Sequence, residues 1–203
     1  MRKIGITGGV GCGKSKVLDF LKEDLHARVY QADILAHEVQ APGTECCREV
    51  AEQFGELVLR ADGSIDREIL GSIVFADKEK LLRLNRIVHP AVNRKIEELI
   101  KMEEQRGTSL FVLEAALLTE KVYRDMLDEI WYIYAEPDVR RERLRLSRGY
   151  TEEKIDAMFA SQVSEEVYRD WCDRVIDNSG SFEKTKEEIT HALQKENDGR
   201  VDS

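Results

Sequence analysis

The sequence predicts an α/β fold with a parallel sheet, a helical insertion and a helical lid. Residues 2–7 form a short apolar run, which a glycine-rich loop follows. VLDFLKEDL then places Val17, Leu18 and Leu21 at helical spacing, and ARVYQAD at 27–33 has the composition of a second strand. Strand, loop, helix and strand in this order are typical of a parallel α/β sheet.

The middle of the chain is predicted to be helical. Residues 34–107 contain no strand pattern, and turns are expected at the Pro-Gly pair 42–43 and at ADGS, 61–64. A long amphipathic pattern begins at about residue 78. We expect Pro90 to kink or end this helix, because proline lacks a backbone N–H. The segment is interpreted as an insertion in the α/β core.

Alternating elements return after the insertion. SLFVLEA at 109–115, EIWYIYA at 129–135 and DRVID at 173–177 are predicted strands. An arginine-rich helix is expected to begin at Pro137 and to stop at Gly149. We therefore predict one domain, with a core (1–33, 108–136, 172–203), an acceptor-substrate insertion (34–107) and a lid (137–171).

Composition excludes several classes of protein. With 42% hydrophobic and 35% charged residues, the 203-residue chain is globular, and a net charge of −9 argues against a general nucleic-acid binder. The chain contains no apolar run of membrane-spanning length and no signal-peptide pattern, so a cytoplasmic protein is expected. The four cysteines lack CxxC spacing and are expected to be reduced thiols.

The glycine-rich loop carries the strongest motif. GGVGCGKS matches G-x-x-x-x-G-K-[ST] through Gly8, Gly13, Lys14 and Ser15, between a predicted strand and a predicted helix. In such a P-loop the peptide N–H groups form an anion nest, the lysine reaches the β- and γ-phosphates, and the hydroxyl binds Mg²⁺. The fold expected is therefore the three-layer P-loop NTPase fold. The predicted nucleotide-binding residues are Gly8, Gly9, Gly11, Cys12, Gly13, Lys14, Ser15 and Lys16.

The role of Lys16 stays open at this point. Its side chain either adds charge near the phosphates or points to solvent.

Two carboxylates follow later strands of the predicted sheet. Asp33 ends the second strand and Glu114 lies near the end of the third. Ligand groups gather at the carboxyl ends of parallel strands, so we expect a carboxylate base and a second carboxylate near Mg²⁺. Asp33 could instead be only a helix N-cap, and Glu114 could be a strand-end residue that faces water.

Collinear motifs along nearly the whole chain, about residues 3–193, resemble the dephospho-CoA kinase family. They are GITGGVGCGKS, QAD, PGT, ADGSIDR, VF, HP, LL-x-E, an arginine-rich helix, SQ and VIDNSGS. The resemblance implies ATP-dependent phosphorylation of the ribose 3′-hydroxyl of dephospho-CoA, the last step of coenzyme A synthesis. ATP, Mg²⁺ and dephospho-CoA are then the expected ligands, and a monomer or small homo-oligomer is expected.

The resemblance also implies roles for particular residues. Asp33 matches the last acid of the family's D-A-D and is expected to orient or deprotonate the hydroxyl. Arg143 matches a lid arginine that closes on the ATP phosphates. Asn178 lies where the family contacts the adenine side of ATP, although it could equally be a turn residue. His89 could bind substrate or be structural.

Four positions depart from the family pattern, and three other functions share some of these features. Gln31 replaces the first acid of D-A-D, Ala116 the usual proline, Glu114 the commoner Asp or apolar residue, and Lys16 the usual Thr. A nucleoside or nucleoside-monophosphate kinase would share the loop and the arginine lid but would not explain the helical insertion. A GTP-binding switch requires N-K-x-D, which the sequence lacks. A non-catalytic scaffold would leave Asp33 without a function.

Overall fold

The structure of the chain, a computed structural model, describes residues 1–116, 118 and 121–194. Three residues of the LL-x-E motif, Leu117, Thr119 and Glu120, lie outside this part. Its strands are β1 (Arg2–Thr7), β2 (Arg28–Gln31), β3 (Leu110–Glu114), β4 (Glu129–Tyr134) and β5 (Arg174–Asp177). Its α-helices are α1 (Lys14–Glu23), α2 (Ala32–Val39), α3 (Glu45–Phe54), α4 (Arg67–Phe75), α5 (Lys78–Gln105), α6 (Lys121–Met126), α7 (Pro137–Arg148), α8 (Glu152–Ala160), α9 (Glu165–Trp171) and α10 (Phe182–Gln194).

The strands form one sheet in the order β2-β3-β1-β4-β5. β1 pairs in parallel with β3 on one side and with β4 on the other, and β4 pairs in parallel with β5. The connection after β1 leads to β2 on one side of β1, whereas the connection after β3 leads to β4 on the other side, so a crevice opens between the carboxyl ends of β1 and β3. This is the predicted parallel α/β fold, with the glycine-rich loop at the crevice.

The core explains why the strands are short apolar runs. Ile4 and Ile6 of β1 and Trp131 and Ile133 of β4 are fully buried in one hydrophobic cluster, which α1 joins through Val17 and its neighbours. Strands of a parallel sheet are covered on both faces, so nearly every position is apolar.

The chain divides into two compact units. One unit comprises residues 1–29 and 108–203 and contains the glycine-rich loop. The other comprises residues 30–107 and consists of helices packed on α5, together with an isolated bridge between Leu59 and Ile65.

The expected end of the second strand was wrong, and so was one of the two outcomes expected at Pro90, the end of the helix, while a kink there stays a prediction. The second strand ends at Gln31 rather than at residue 33, because Ala32 and Asp33 already belong to the first turn of α2. Helix α5 also continues through Pro90. The missing N–H removes one hydrogen bond of a 28-residue helix, while apolar residues on both sides of the proline, among them Val88 and Val92, stay buried.

Capping follows the local sequence. The Thr151 hydroxyl accepts a hydrogen bond from the backbone N–H of Lys154 at the start of α8. Ser164 is the N-cap of α9, but its side chain makes no capping hydrogen bond. Gly149 ends α7 in the left-handed conformation at φ 61°, which a residue without Cβ adopts freely.

None of the helices in the described ranges has an apolar stretch long enough to cross a bilayer. The four cysteines all lie within these ranges, and none is joined in a disulfide.

Candidate active site

The loop after β1 exposes the amino end of α1. Gly13, the N-cap of α1, has φ 88° and turns the chain into the helix. Within the described residues, the N–H groups of Ser15 and Lys16 donate to no backbone carbonyl, and the first backbone bond from α1 to the loop runs from Val17 N–H to Gly13 O at 3.4 Å. Open N–H groups and the positive end of the helix dipole together favour an anion at this position.

Close packing fixes the glycines of the loop. A Cβ at Gly9 would lie 2.6 Å from the Arg140 guanidinium and from the Gln162 side-chain oxygen, and one at Gly8 would lie 2.6 Å from the carbonyl of Ile133. At Gly11 the nearest atom would be the Arg140 carbonyl, at 2.9 Å. Packing against backbone carbonyls therefore requires glycine at Gly8 and Gly11, whereas a Cβ at Gly9 would displace the ends of two side chains.

The polar side chains at the start of α1 point in different directions. Lys14 Nζ donates to the Gly8 carbonyl at 2.6 Å, so the ammonium lies across the loop. Ser15 is exposed. Lys16 is exposed, in agreement with the alternative that it points to solvent, and its ammonium lies 4.3 Å from the ring centroid of Phe182.

Cys12 contributes its backbone and not its thiol. The side chain is buried in the core, and burial raises the pKa of the thiol although Lys14 acts in the opposite direction. Its carbonyl accepts hydrogen bonds from Asn178 Nδ2 at 2.7 Å and from Arg143 Nη1 at 3.3 Å. The thiol is therefore a packing group, and the carbonyl anchors two residues predicted for the site.

Asn178 connects the glycine-rich loop to α10 and to Arg143 through hydrogen bonds. Its side chain is buried, and its Oδ1 accepts from the Thr185 hydroxyl at 3.0 Å while its backbone carbonyl accepts from Arg143 Nη2 at 2.7 Å. The structure thus brings Arg143 and Asn178 together with the loop. An adenine contact by Asn178 stays a prediction, since the amide groups named here are directed at the protein.

Sequence reasoning missed two residues that also hold the loop. Arg140 Nε donates to the Val10 carbonyl at 2.8 Å and Arg140 Nη2 donates to Gln162 Oε1 at 2.8 Å, while Val10 N–H donates to the same oxygen at 3.3 Å. Arg141 of the same helix forms ion pairs with Glu152 and Asp156, whereas Arg140 forms no ion pair with a described residue. The spacing of three residues between Arg140 and Arg143 is the signal that places both on one helix face.

A cavity of about 510 Å³ opens beside the loop. Its walls include Gly13, Ser15, Arg143, Leu146 and Phe182. The size falls within the range of small-molecule sites, and the mixture of apolar walls with phosphate-binding groups suits a nucleotide.

The two predicted carboxylates occupy different units. Glu114 is the last residue of β3, is nearly buried, and pairs in register with Ile6 of β1, so it lies at the same end of the sheet as the glycine-rich loop. Asp33 is an exposed residue in the first turn of α2, in the unit 30–107. The N-cap of α2 is Gln31, so the alternative that Asp33 caps the helix is wrong.

The described residues contain no cluster of three or more His, Cys, Asp or Glu suited to a metal.

Gly13→Ala is expected to destabilise the protein more than Gly149→Ala does. Both glycines have positive φ, which costs about 1–2 kcal/mol for a residue with Cβ. At Gly13 the new Cβ also meets Asn178 Nδ2, which adds roughly 1–3 kcal/mol of overpacking, while a Cβ at Gly149 has nothing within 4 Å. Urea unfolding of both variants measures the difference, and equal losses would refute the contact with Asn178.

Comparisons with known proteins agree with this geometry. The profile of the family described as CoaE, dephospho-CoA kinase, matches residues 2–184. Dephospho-CoA kinase of Carboxydothermus hydrogenoformans is 40% identical over 192 residues, which are 95% of this chain and 93% of that protein. A crystal structure of a Thermus thermophilus protein superposes with TM-score 0.74 at 30% identity, covering 96% of this chain and 97% of that one. Dephospho-CoA kinase from Campylobacter jejuni superposes with TM-score 0.62 at 25% identity, covering 96% of each chain.

The family match spans most of the chain, and the loop and its supporting residues supply the phosphate-binding geometry that a kinase requires. The chain belongs to the dephospho-CoA kinase family.

Proposed function

We propose that this protein transfers the γ-phosphoryl group of ATP to the ribose 3′-hydroxyl of dephospho-CoA, giving coenzyme A and ADP. The observation that carries the proposal is the glycine-rich loop at the amino end of α1, with Lys14 and Arg143 beside it, in a chain that belongs to this family. Phosphoryl transfer depends mainly on positioning and on neutralising charge, which these groups can supply.

Binding of the triphosphate is assigned to the loop. The N–H groups at the start of α1 and the Lys14 ammonium bind the β- and γ-phosphates, and the adenosine part occupies the cavity beside Phe182. Arg140, Gln162 and Asn178 hold the loop in the conformation that exposes these N–H groups.

The oxygen donors at the site fit a magnesium ion. Mg²⁺ keeps several waters and takes only one or two protein oxygens beside the substrate phosphates, so a dedicated cluster of ligands is not required. The hydroxyl of Ser15 and the carboxylate of Glu114, through water, would hold it. When bound, the ion would supply positive charge that neutralises the phosphates of ATP.

The transfer itself is assigned to Asp33 and Arg143. The carboxylate of Asp33 accepts the proton of the 3′-hydroxyl as its oxygen bonds to the γ-phosphorus, and the bond to the β,γ-bridging oxygen breaks to release ADP. Arg143 donates two aligned N–H groups to the transferring phosphoryl group. We propose that residues 137–171, which form α7 to α9, act as a lid that carries this arginine, and that residues 34–107 receive the acceptor. A cytoplasmic location stays a prediction.

A panel of acceptors tests the proposal. ADP release is measured with Mg·ATP and, separately, dephospho-CoA, AMP, CMP, adenosine or water. Turnover with dephospho-CoA alone, with the product phosphorylated on the ribose, is the expected result. Turnover with a nucleoside or nucleoside monophosphate instead would support the alternative kinase class. ADP release that no acceptor accelerates would refute a kinase function.

A further inference from the structure

We propose that Arg67 and His37 bind the 5′-diphosphate of the acceptor, one helical turn from Asp33. The inference rests on the proposed function and assigns a phosphate subsite within the unit 30–107. It follows from a side-chain contact between α2 and α4, from the charge around that contact, and from its spacing to Asp33.

The contact joins two helices. Asp33 and His37 are four residues apart on α2 and therefore share one face of the helix. Arg67, the first residue of α4, contacts His37 Nε2 through Nη1. Arginine can only donate, so Nε2 of the imidazole is the acceptor in this contact. The histidine thereby orients the guanidinium without neutralising it.

Arg67 keeps its full charge at the surface. Both Arg67 and His37 are exposed, and no described carboxylate lies within ion-pair distance of Arg67. The adjacent Asp66 is already engaged: its Oδ2 accepts from Arg60 at 3.1 Å, and its Oδ1 accepts from the N–H groups of Glu68 and Ile69. The guanidinium therefore retains several N–H donors for an anion, in the fork geometry that suits phosphate oxygens.

Three other arginines of this unit differ in this respect. Arg106 pairs with Glu103 at 3.0 Å, Arg60 pairs with Asp66, and Arg94 lies 3.9 Å from Glu45. Arg48, Arg83 and Arg86 are exposed and form no ion pair with a described residue, as is true of Arg67. What distinguishes Arg67 from these three is its contact with His37, which holds the guanidinium one helical turn from Asp33.

The spacing fits one nucleotide acceptor. Four residues of α-helix advance about 6 Å along the axis, so the contact with His37 lies about one turn from Asp33. In dephospho-CoA a single ribose ring separates the 3′-hydroxyl from the 5′-diphosphate. An acceptor that presents its 3′-hydroxyl to Asp33 can therefore reach Arg67 and His37 with its phosphates. The ligand class is a nucleoside 5′-diphosphate derivative.

Steady-state kinetics of Arg67→Ala, with dephospho-CoA varied at saturating ATP, tests this subsite. Loss of charge-assisted hydrogen bonds to phosphate is expected to raise the acceptor KM roughly 10- to 100-fold. The value of kcat at saturating acceptor and the KM for ATP are expected to stay near those of the wild type. Arg67→Lys is expected to fall between the two proteins, because an ammonium keeps the charge but not the fork.

A matched substitution controls for charge, and thermal unfolding controls for folding. Arg83→Ala removes one exposed arginine from α5 in the same unit and is expected to leave the acceptor KM within about twofold, as for other surface substitutions. An unchanged acceptor KM for Arg67→Ala would overturn the inference. It would also be overturned if the acceptor KM of this variant rises while its Tm falls and its KM for ATP rises. Wild-type protein that does not phosphorylate dephospho-CoA would instead refute the proposed function, so the two failures are distinguishable.

Discussion

Asp33→Asn is expected to lower kcat with dephospho-CoA by about 10²- to 10⁴-fold, the contribution of a positioned general base. Asparagine has nearly the same shape as aspartate but cannot accept the hydroxyl proton. The residue lies in the first turn of α2, is exposed, and does not cap the helix, because Gln31 occupies the N-cap position. The substitution therefore changes the chemistry without removing a structural contact of the helix end.

Single-turnover ADP release and calorimetric ATP binding together measure this effect. ATP affinity is expected to be unchanged, since the triphosphate is assigned to the loop and not to α2. Glu38→Gln is the matched control, because it also removes one exposed carboxylate from α2 and is expected to retain turnover. Undiminished turnover of Asp33→Asn would refute the assignment of the base. The carboxylate would then act only in acceptor binding or through the electrostatic effect of its charge.

The sequence was sufficient to predict the parts of the fold that local patterns encode. The strand preceding the loop spans 2–7 in both the prediction and the structure, because a buried parallel strand is a continuous apolar run. The loop and the start of α1 follow from glycines at fixed spacing before a lysine and a serine. Gly149 ends α7 as predicted for the same kind of local reason.

Packing in the folded protein determines features that local sequence patterns do not predict. Pro90 is an unfavourable residue within a helix, yet burial of residues such as Val92 and Ile96 on the following turns sustains α5 beyond it. Propensity is a local energy of a few kcal/mol and can be outweighed by packing of a long apolar face.

The residues that support the glycine-rich loop are a second example of contacts that the sequence does not predict. Arg140 and Gln162 are 22 residues apart in sequence, and both contact Val10, more than 120 residues earlier in the chain. No periodicity connects such positions. Asn178 was named from the family resemblance as a nucleotide contact, whereas its bonds to Cys12 and Thr185 depend on how the residues after β5 and those of α10 pack against the loop. The sequence therefore indicated the glycine-rich loop and some of its neighbours, but not the hydrogen bonds that hold the loop in place.

Lys14→Ala is expected to weaken ATP binding roughly 10- to 100-fold, the loss of charge-assisted hydrogen bonds to phosphate. Turnover is expected to fall further, by about 10²- to 10³-fold as for other groups that stabilise charge in a transition state. The ammonium of Lys14 lies across the loop against the Gly8 carbonyl, so it is already positioned beside the open N–H groups of α1.

The control for this substitution lies on the same helix. Lys22→Ala removes an exposed lysine from the last turn of α1, so it changes the net charge equally but leaves the loop intact. Calorimetry with ATP separates the two variants: the Lys22 variant is expected to bind like the wild type. Tight ATP binding by Lys14→Ala would contradict a phosphate-binding role for this ammonium. The N–H groups of α1 and Arg143 would then have to supply the affinity, and the bond to Gly8 would be a structural feature of the loop.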